Sequence, residues 1–599
     1  MTRALPCCFL TISLCTSIVA TGQSPQAVPD ATLQLNTNLV VVDVAVTDAN
    51  QRPVHNLTAA NFNLREDGQP QRIKTFEEHT ADETIIDKPS LLPPPPKLAP
   101  GVFTNVSPIP ETGSLNIVLL DKLNTPMEDQ AYSLNQLSQY LKTAPAGTRI
   151  AVATLTTGQL SLLQGFTSNP ELLRAALSSK KAKMNASLLL NNPVSGGGRK
   201  AAEPALVSRR EMTLNALNEL GRYLSGFPGR KNLIWFSSSF PISMFPDGRD
   251  RWETTSSDLD DEFKKTVNLL AFNRVAVYAI DARGLVGGSS WFDASNAGPA
   301  KASVQASNQG LSGRVQSDFS KSAQQKWAMM DVADPTGGQV YLNTNDLKAA
   351  VAQAIDAGSN YYTLTYSPTS SWDGQYRKIK VQLDRQGLTL AYRRGYYAID
   401  PEAPEATVPN TSQKANSTQP APYSVMRAAM AYGAPEPAEI QFEADVRPST
   451  AGTEPAVAKG NQTEEKVKGP YQRYSVHYIA HQRDIKCPAG PGGVNICAVE
   501  FAVCVYDADG RLINSLGNEI KANINSTYYA ALRKPGLDPG FQYHQEISVP
   551  VKGEYYLRVG VHDMTTNKVG ALELPISVVS ALPPLSTMSA DPASGASRK

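Results

Sequence analysis

The sequence predicts an α/β fold: a doubly wound, mostly parallel sheet, preceded by a flanking β segment and followed by a C-terminal β-sandwich. Three observations predict it. Between residues 113 and 398, short apolar runs that read as strands alternate with helical stretches, and such alternation implies a parallel sheet covered on both faces. One run, Leu115–Asp121 (LNIVLLD), ends abruptly on a carboxylate, which is how open α/β sheets present a ligand group at a strand tip. Beyond residue 438 the helical signal stops and alternating β runs return, the pattern of a sandwich.

The 599 residues are too many for one core. Residues 1–22 read as a signal peptide: Arg3 supplies the positive start, Leu5 to Ala20 the apolar stretch, and Ala20-Thr21-Gly22 a small-x-small cleavage site. Export to the periplasm or the cell exterior is therefore expected, and no later stretch has the length of a membrane span. The formal net charge is +1. With no long charged run, nucleic acid and anionic membrane surfaces are poor partners. Of six cysteines, Cys7, Cys8 and Cys15 fall in the signal. Cys487 and Cys497 flank a turn-rich segment and could close a disulfide in an oxidising compartment, whereas Cys504 lies in an apolar strand and reads as a buried thiol.

Residues 31–80 form the leading β segment. Leu39–Val46 is a strand, and Phe62–Arg65 and Ile73–Phe76 flank Asp67-Gly68, a hairpin signal. The segment cannot bury itself alone, so it is expected to join the strands of Arg377–Tyr397 in a small layer. Residues 81–112 are a Pro-rich, extended connector.

Within 113–398 the expected helices are Glu128–Leu141, a short one capped by Ser168 or Asn169 with Pro170 in its first turn, Arg210–Leu224, Asp258–Phe272, Ser317–Ala333 and Asp346–Ala357. The expected strands after LNIVLL are Arg149–Leu155, Asn232–Phe236, Arg274–Ile280, Gln339–Leu342 and, last, Tyr361–Tyr366. Met184–Ala202 and Gly284–Gly313 read as loops, and Thr336-Gly337-Gly338 as a turn from helix to strand. A hairpin, Arg377–Leu383 and Leu388–Arg393, closes the domain. Residues 399–437 read as a disordered linker, 438–580 as the sandwich and 581–599 as a disordered tail.

Together LNIVLLDKLNTP, FTSNPELL, PGRKNLIWFSSSFP, RVAVYAIDARGL, TGGQVYLNTNDL, YYTLTYSP and RRGYYA resemble the von Willebrand factor A-related proteins, exported proteins common in acidobacteria. The leading VVVDVAVTDANQRPVHNLTAANFNLREDGQPQ fits the same family. The resemblance implies a Rossmann-like A domain with a metal-ion-dependent adhesion site at the C-terminal sheet edge. There, DxSxS, a later Thr and a second Asp hold Mg²⁺ or Mn²⁺ and leave one position for a partner's carboxylate. Carried over, Asp121 is the first Asp, Thr125 the last hydroxyl, Thr213 the third-loop Thr, and Ser237 and Ser238 stand where the second Asp should be. Leu123 replaces the middle hydroxyl and Asn124 is off by one position. The site is degenerate, and the implied function is a non-enzymatic protein-binding, adhesion or scaffold module with a protein partner.

Other chemistries fit these residues less well. Strand-Asp-x-x-x-Thr also resembles haloacid dehalogenase-like phosphatases, with Asp121 as nucleophile and Thr125 and Ser237 on the phosphate, but Leu123 removes the general acid. None of the six histidines falls in Leu115–Tyr366, against a His-based triad there. His477 and His481 share one side of an expected strand and could pair on a metal. The tyrosines Tyr361, Tyr362, Tyr366, Tyr392, Tyr396 and Tyr397 could form a recognition surface or pack across strands. Arg199, Lys200, Arg209, Arg210, Arg230 and Lys231 read as a solvated basic face.

Overall fold

The computed structural model describes residues 39–81, 98–106, 114–156, 159–179, 182, 199–238, 258–283, 329–342, 344–369, 371–398, 424–463, 467–532 and 540–584. The expected signal peptide, most of both loops, residues 399–423 and most of the tail lie outside the described residues.

The leading segment supplies β1 (Val40–Thr47), β2 (Phe62–Glu66), β3 (Gln69–Pro70) and β4 (Thr75–His79), and β5 (Val102–Thr104) follows. Next come β6 (Leu115–Asp121), α1 (Met127–Leu141), β7 (Ile150–Thr156), β8 (Gln159–Thr167), α2 (Pro170–Ser178) and α3 (Arg199–Ser225). The α/β portion continues with β9 (Lys231–Ser237), α4 (Asp258–Phe272), β10 (Val275–Asp281), β11 (Val340–Tyr341) and α5 (Leu347–Ser359).

These strands form one sheet in the order β11-β10-β9-β6-β7-β8. Its pairings are parallel except at β8, an antiparallel edge strand that the sequence reading missed. Every residue of β6 is buried, as a strand covered on both faces requires. Alternate side chains serve opposite cores. Ile117 and Leu119 pack with Leu214, Leu217 and Leu220 of α3 and Phe263 and Val267 of α4. Val118 and Leu120 meet Leu137 and Leu141 of α1 and Leu347 and Val351 of α5. Each such side chain contributes about 1.5–3 kcal/mol on burial. Asn169 caps α2 by accepting from Glu171 N at 2.9 Å, and Asp346 caps α5 through Ala349 N at 2.9 Å.

Tyr361–Tyr366, expected as the last strand of the parallel sheet, belongs elsewhere. As β12 (Tyr361–Tyr366) it runs antiparallel between β1 and β4. The two residues of β11 offer it almost no edge, whereas β1 offers a five-residue register. The expected closing hairpin is also split. β13 (Tyr376–Leu383) pairs with β2 and β15 (Gly395–Tyr397), while β14 (Thr389–Tyr392) pairs with β1. The leading segment and this stretch do bury each other, around Val42, Val44, Leu64, Leu364 and Val381. Tyr361, Tyr362, Tyr366, Tyr392 and Tyr396 are buried there, so they are packing residues and not a surface. The Asp67-Gly68 turn is present, with both φ angles positive, but its return strand is β3 and not Ile73–Phe76.

The C-terminal part contains β16 (Phe442–Pro448), β17 (Gln462–Thr463), β18 (Tyr471–Ala480), β19 (Ala489–Gly490), β20 (Val494–Asp507) and β21 (Leu512–Asn525). It ends with β22 (Phe541–Pro550), β23 (Tyr555–Asp563) and β24 (Lys568–Pro575). Two antiparallel sheets, β22-β18-β16-β5 and β17-β21-β20-β23-β24, share one apolar core. Parallel pairing is thus confined, among the described residues, to the single sheet around β6; the other sheets are antiparallel.

Two segments read as connectors are structured. β5 adds to β16, and residues 424–437, assigned to the linker, contain α6 (Val425–Ala429), whose Met426 packs with Val569 and Ala571. The same stretch reaches the α/β sheet, where Leu162 N donates to Gly433 O at 2.9 Å. Both connectors hide an apolar or pairing face that only a distant partner reveals. Cys487 and Cys497 are joined by a disulfide, and Cys504 is a half-buried free thiol that burial pushes up to about 11.

Candidate functional site

The chain turns back on itself at β6. It leaves through α1 on one face toward β7 and returns on the other side of β6 as β9, whose helix α4 covers the opposite face. Open α/β sheets form their ligand crevice at such a reversal, at the C-terminal strand ends. Asp121 and Ser237 close those two ends.

All five sequence-predicted site residues converge here, and all are buried: Asp121 2%, Thr125 2%, Thr213 0%, Ser237 2% and Ser238 2% exposed. Asp121 Oδ2 accepts from Ser237 Oγ at 2.9 Å, from Trp235 Nε1 at 3.2 Å and from Asn124 Nδ2 at 2.8 Å. Its Oδ1 accepts from Asn124 N at 2.9 Å. Asn124 Nδ2 also donates to Thr213 Oγ1 at 2.9 Å, and Thr213 Oγ1 donates to Arg209 O at 2.8 Å, one helical turn back. Thr125 Oγ1 accepts from Ser238 N at 3.2 Å, while Ser238 Oγ donates to Asp129 Oδ2 at 3.0 Å.

The centre of the cluster is Asn124, which the sequence reading had placed one position out of register. Its carbonyl oxygen accepts from Arg209 Nη2 at 3.0 Å and Nε at 3.3 Å. Guanidinium on one side and carboxylate on the other allow only one amide orientation: oxygen to Arg209, nitrogen to Asp121. Arg209 is 8% exposed, Arg230 2% and Lys231 3%, so three of the cations read as a solvated face are interior groups. Arg209 is on the same helix face as Thr213 because four residues make one turn, and this spacing was the overlooked signal.

Burial pushes the Asp121 carboxyl above its ordinary range, and the bonds from Asn124, Ser237 and Trp235 oppose that rise. Burial likewise lowers Arg209, against the attraction of Asp121. Burial also lowers Lys122, whose ammonium donates to Ala182 O.

These residues do not fit a divalent cation. Mg²⁺ demands several hard oxygens in octahedral array and gives up water reluctantly. Here Leu123, 1% exposed, fills the middle hydroxyl position, and Asp121 Oδ2 already accepts three bonds. An amide nitrogen bridges two of the oxygens that would ligate, and a guanidinium stands behind it. Among the described residues no group of three or more His, Cys, Asp or Glu could hold a metal. His477 lies on β18 and His481 just past its end.

No family model and no curated protein matches the chain. Solved structures similar to it include "von Willebrand factor type A from Catenulispora acidiphila", with 12% identity over 57% of this chain and 75% of that one, TM-score 0.23. The SpRpn10 VWA domain has 13% identity over 28% of this chain and 75% of that one, TM-score 0.15. The TFIIH p34 N-terminal domain has 12% identity over 28% and 80%, TM-score 0.17. Von Willebrand A domains are thus among its structural neighbours, at low identity and weak superposition.

Proposed function

We propose that this chain is an exported, non-enzymatic protein-interaction or scaffold module whose doubly wound, von Willebrand A-type domain works without a metal ion. The observation that carries the reading is the Asp121–Asn124–Arg209 relay, which gives the strand-end carboxylate an internal cation in place of Mg²⁺. The order of the sheet around β6, with helices on both faces, supports the domain type. The two antiparallel sheets on one core support a C-terminal β-sandwich. The Cys487–Cys497 disulfide supports an oxidising compartment. A phosphatase-type reaction is disfavoured because Asp121 is too buried to reach a phosphorus atom and Leu123 cannot protonate a leaving group.

The test is capture of partners by the mature chain from an envelope extract of its source cells, with and without EDTA, alongside thermal melting in millimolar Mg²⁺ or Mn²⁺. Equal capture and an unchanged melting temperature are expected. A melting temperature raised by Mg²⁺ and insensitive to it in Asp121→Ala would establish a metal-dependent adhesion site instead. Turnover of a phosphate ester, lost in Asp121→Asn, would establish the hydrolase.

A further inference from the structure

At the opposite, N-terminal end of the parallel sheet, a small cavity lies between that sheet and the leading β layer. Asp43, Arg230, Arg274, Thr336 and Arg393 line it, with room for about one water-sized particle. Arg274 Nη2 and Nε hold Asp43 in a two-pronged pair at 2.7 and 3.0 Å, and Thr363 Oγ1 donates to the same carboxylate at 2.8 Å. Asp43 is therefore largely committed. Arg230 lies over the Tyr361 ring at 5.3 Å and donates through Nη2 to Tyr278 Oη at 3.1 Å and Gly337 O at 3.0 Å. Its Nε is buried with no partner among the described residues, as is the Nε of Arg393.

The charges do not balance. Three guanidiniums face the cavity against one carboxylate, and buried cations are costly unless paired and hydrogen-bonded. Lys231 beside it adds little charge near neutral pH: its Nζ donates to Phe227 O at 2.8 Å, and burial with the nearby Arg274 lowers it to about 7. Glu77 acts on Arg274 only as a 66% exposed side chain. Thr336 Oγ1 is already used by the backbone around it.

We propose that this cavity binds one inorganic anion of halide size, held by Arg230, Arg274 and Arg393 and counterposed to Asp43. The orphaned Nε–H groups of Arg230 and Arg393 are its donors. Room for about one water-sized particle favours a monatomic anion over sulfate, phosphate or an organic carboxylate. Because Asp43 and Arg393 belong to the β layer and Arg230 and Arg274 to the parallel sheet, the ion ties the two together. This site is independent of the Asp121 relay and goes beyond the proposed interaction role.

Crystals of the mature chain soaked in bromide test it through anomalous scattering. A bromide peak within hydrogen-bonding distance of Arg230 and Arg393 is expected; an empty or water-filled cavity in those crystals overturns the proposal. In solution, replacing gluconate with chloride at constant ionic strength should raise the melting temperature saturably, as specific binding to the folded state does. The saturable rise should vanish in Arg393→Gln, which removes one cavity guanidinium while keeping side-chain bulk, and persist in the exposed control Arg385→Gln. No rise in the parent chain, or the same rise in Arg393→Gln, refutes the site.

Discussion

Asn124 and Arg209, 85 residues apart in sequence, are joined by two hydrogen bonds from one guanidinium to one amide oxygen. The pair links β6 to α3 at the strand-end carboxylate. A positive charge is thus delivered to Asp121 through an amide dipole.

Removing either end of that relay leaves a buried acceptor short of a donor. Asn124→Ala and Arg209→Met should each cost about 1–3 kcal/mol in urea unfolding at neutral pH. The double variant should cost less than the sum, because both changes break one network. Asp121 has a raised folded pKa, so its unfavourable charged form is absent in acid and appears as pH rises through that value. The deficit of Arg209→Met should accordingly be smallest in acid and grow as pH rises through that raised value.

Glu219 sets a second pH dependence. Burial raises its carboxyl to about 7 against the attraction of Arg558 and Arg222. A carboxyl raised in the folded state favours folding while protonated, and that contribution is lost as pH climbs from 4.5 to about 7. Glu219→Gln should flatten the stability profile across this window and gain ~1–2 kcal/mol over the parent chain at pH 7.5. A profile unchanged by the substitution would refute the assignment.

The Cys487–Cys497 disulfide closes a loop of sequence separation 10. The paired Cys487→Ser, Cys497→Ser variant should lose ~2–3 kcal/mol of stability. Thiol titration of the denatured, unreduced mature chain should find Cys504 alone.

Gly338 sits against β10, where a Cβ would come within 1.9 Å of Val277 O. Gly338→Ala should therefore destabilise by more than ~3 kcal/mol or prevent folding, the scale of a severe core clash. Gly374 has φ +78° with open space around it, so Gly374→Ala should cost only ~1–2 kcal/mol.

Much of the architecture was legible locally. Ile117–Leu120 in LNIVLLD is an unbroken apolar run because both faces of β6 are covered, and Asn169-Pro170 announces a helix start because Asn supplies the cap and Pro loses nothing at the first turn. Asp121 and Ser237 were legible as strand ends, since apolar runs stop there, whereas Thr125, Thr213 and Ser238 came only from the family resemblance. What the five do there was not legible. Asn124 reads as a residue one place out of register, and only the approach of α3 brings Arg209 to it.

The same division runs through the chain. Its sequence by itself determined most of the strands and helices of the α/β portion, because periodicity and capping act over a few residues, but not β5, β8 or α6. Tertiary structure decided which strands pair, since β12 could extend a parallel sheet or enter the leading layer, and its own residues suit both. It also decided the state of the charged groups. Burial and partners set whether Arg209 and Arg230 are solvated cations or interior ones, and those partners come from 85 and 107 residues away.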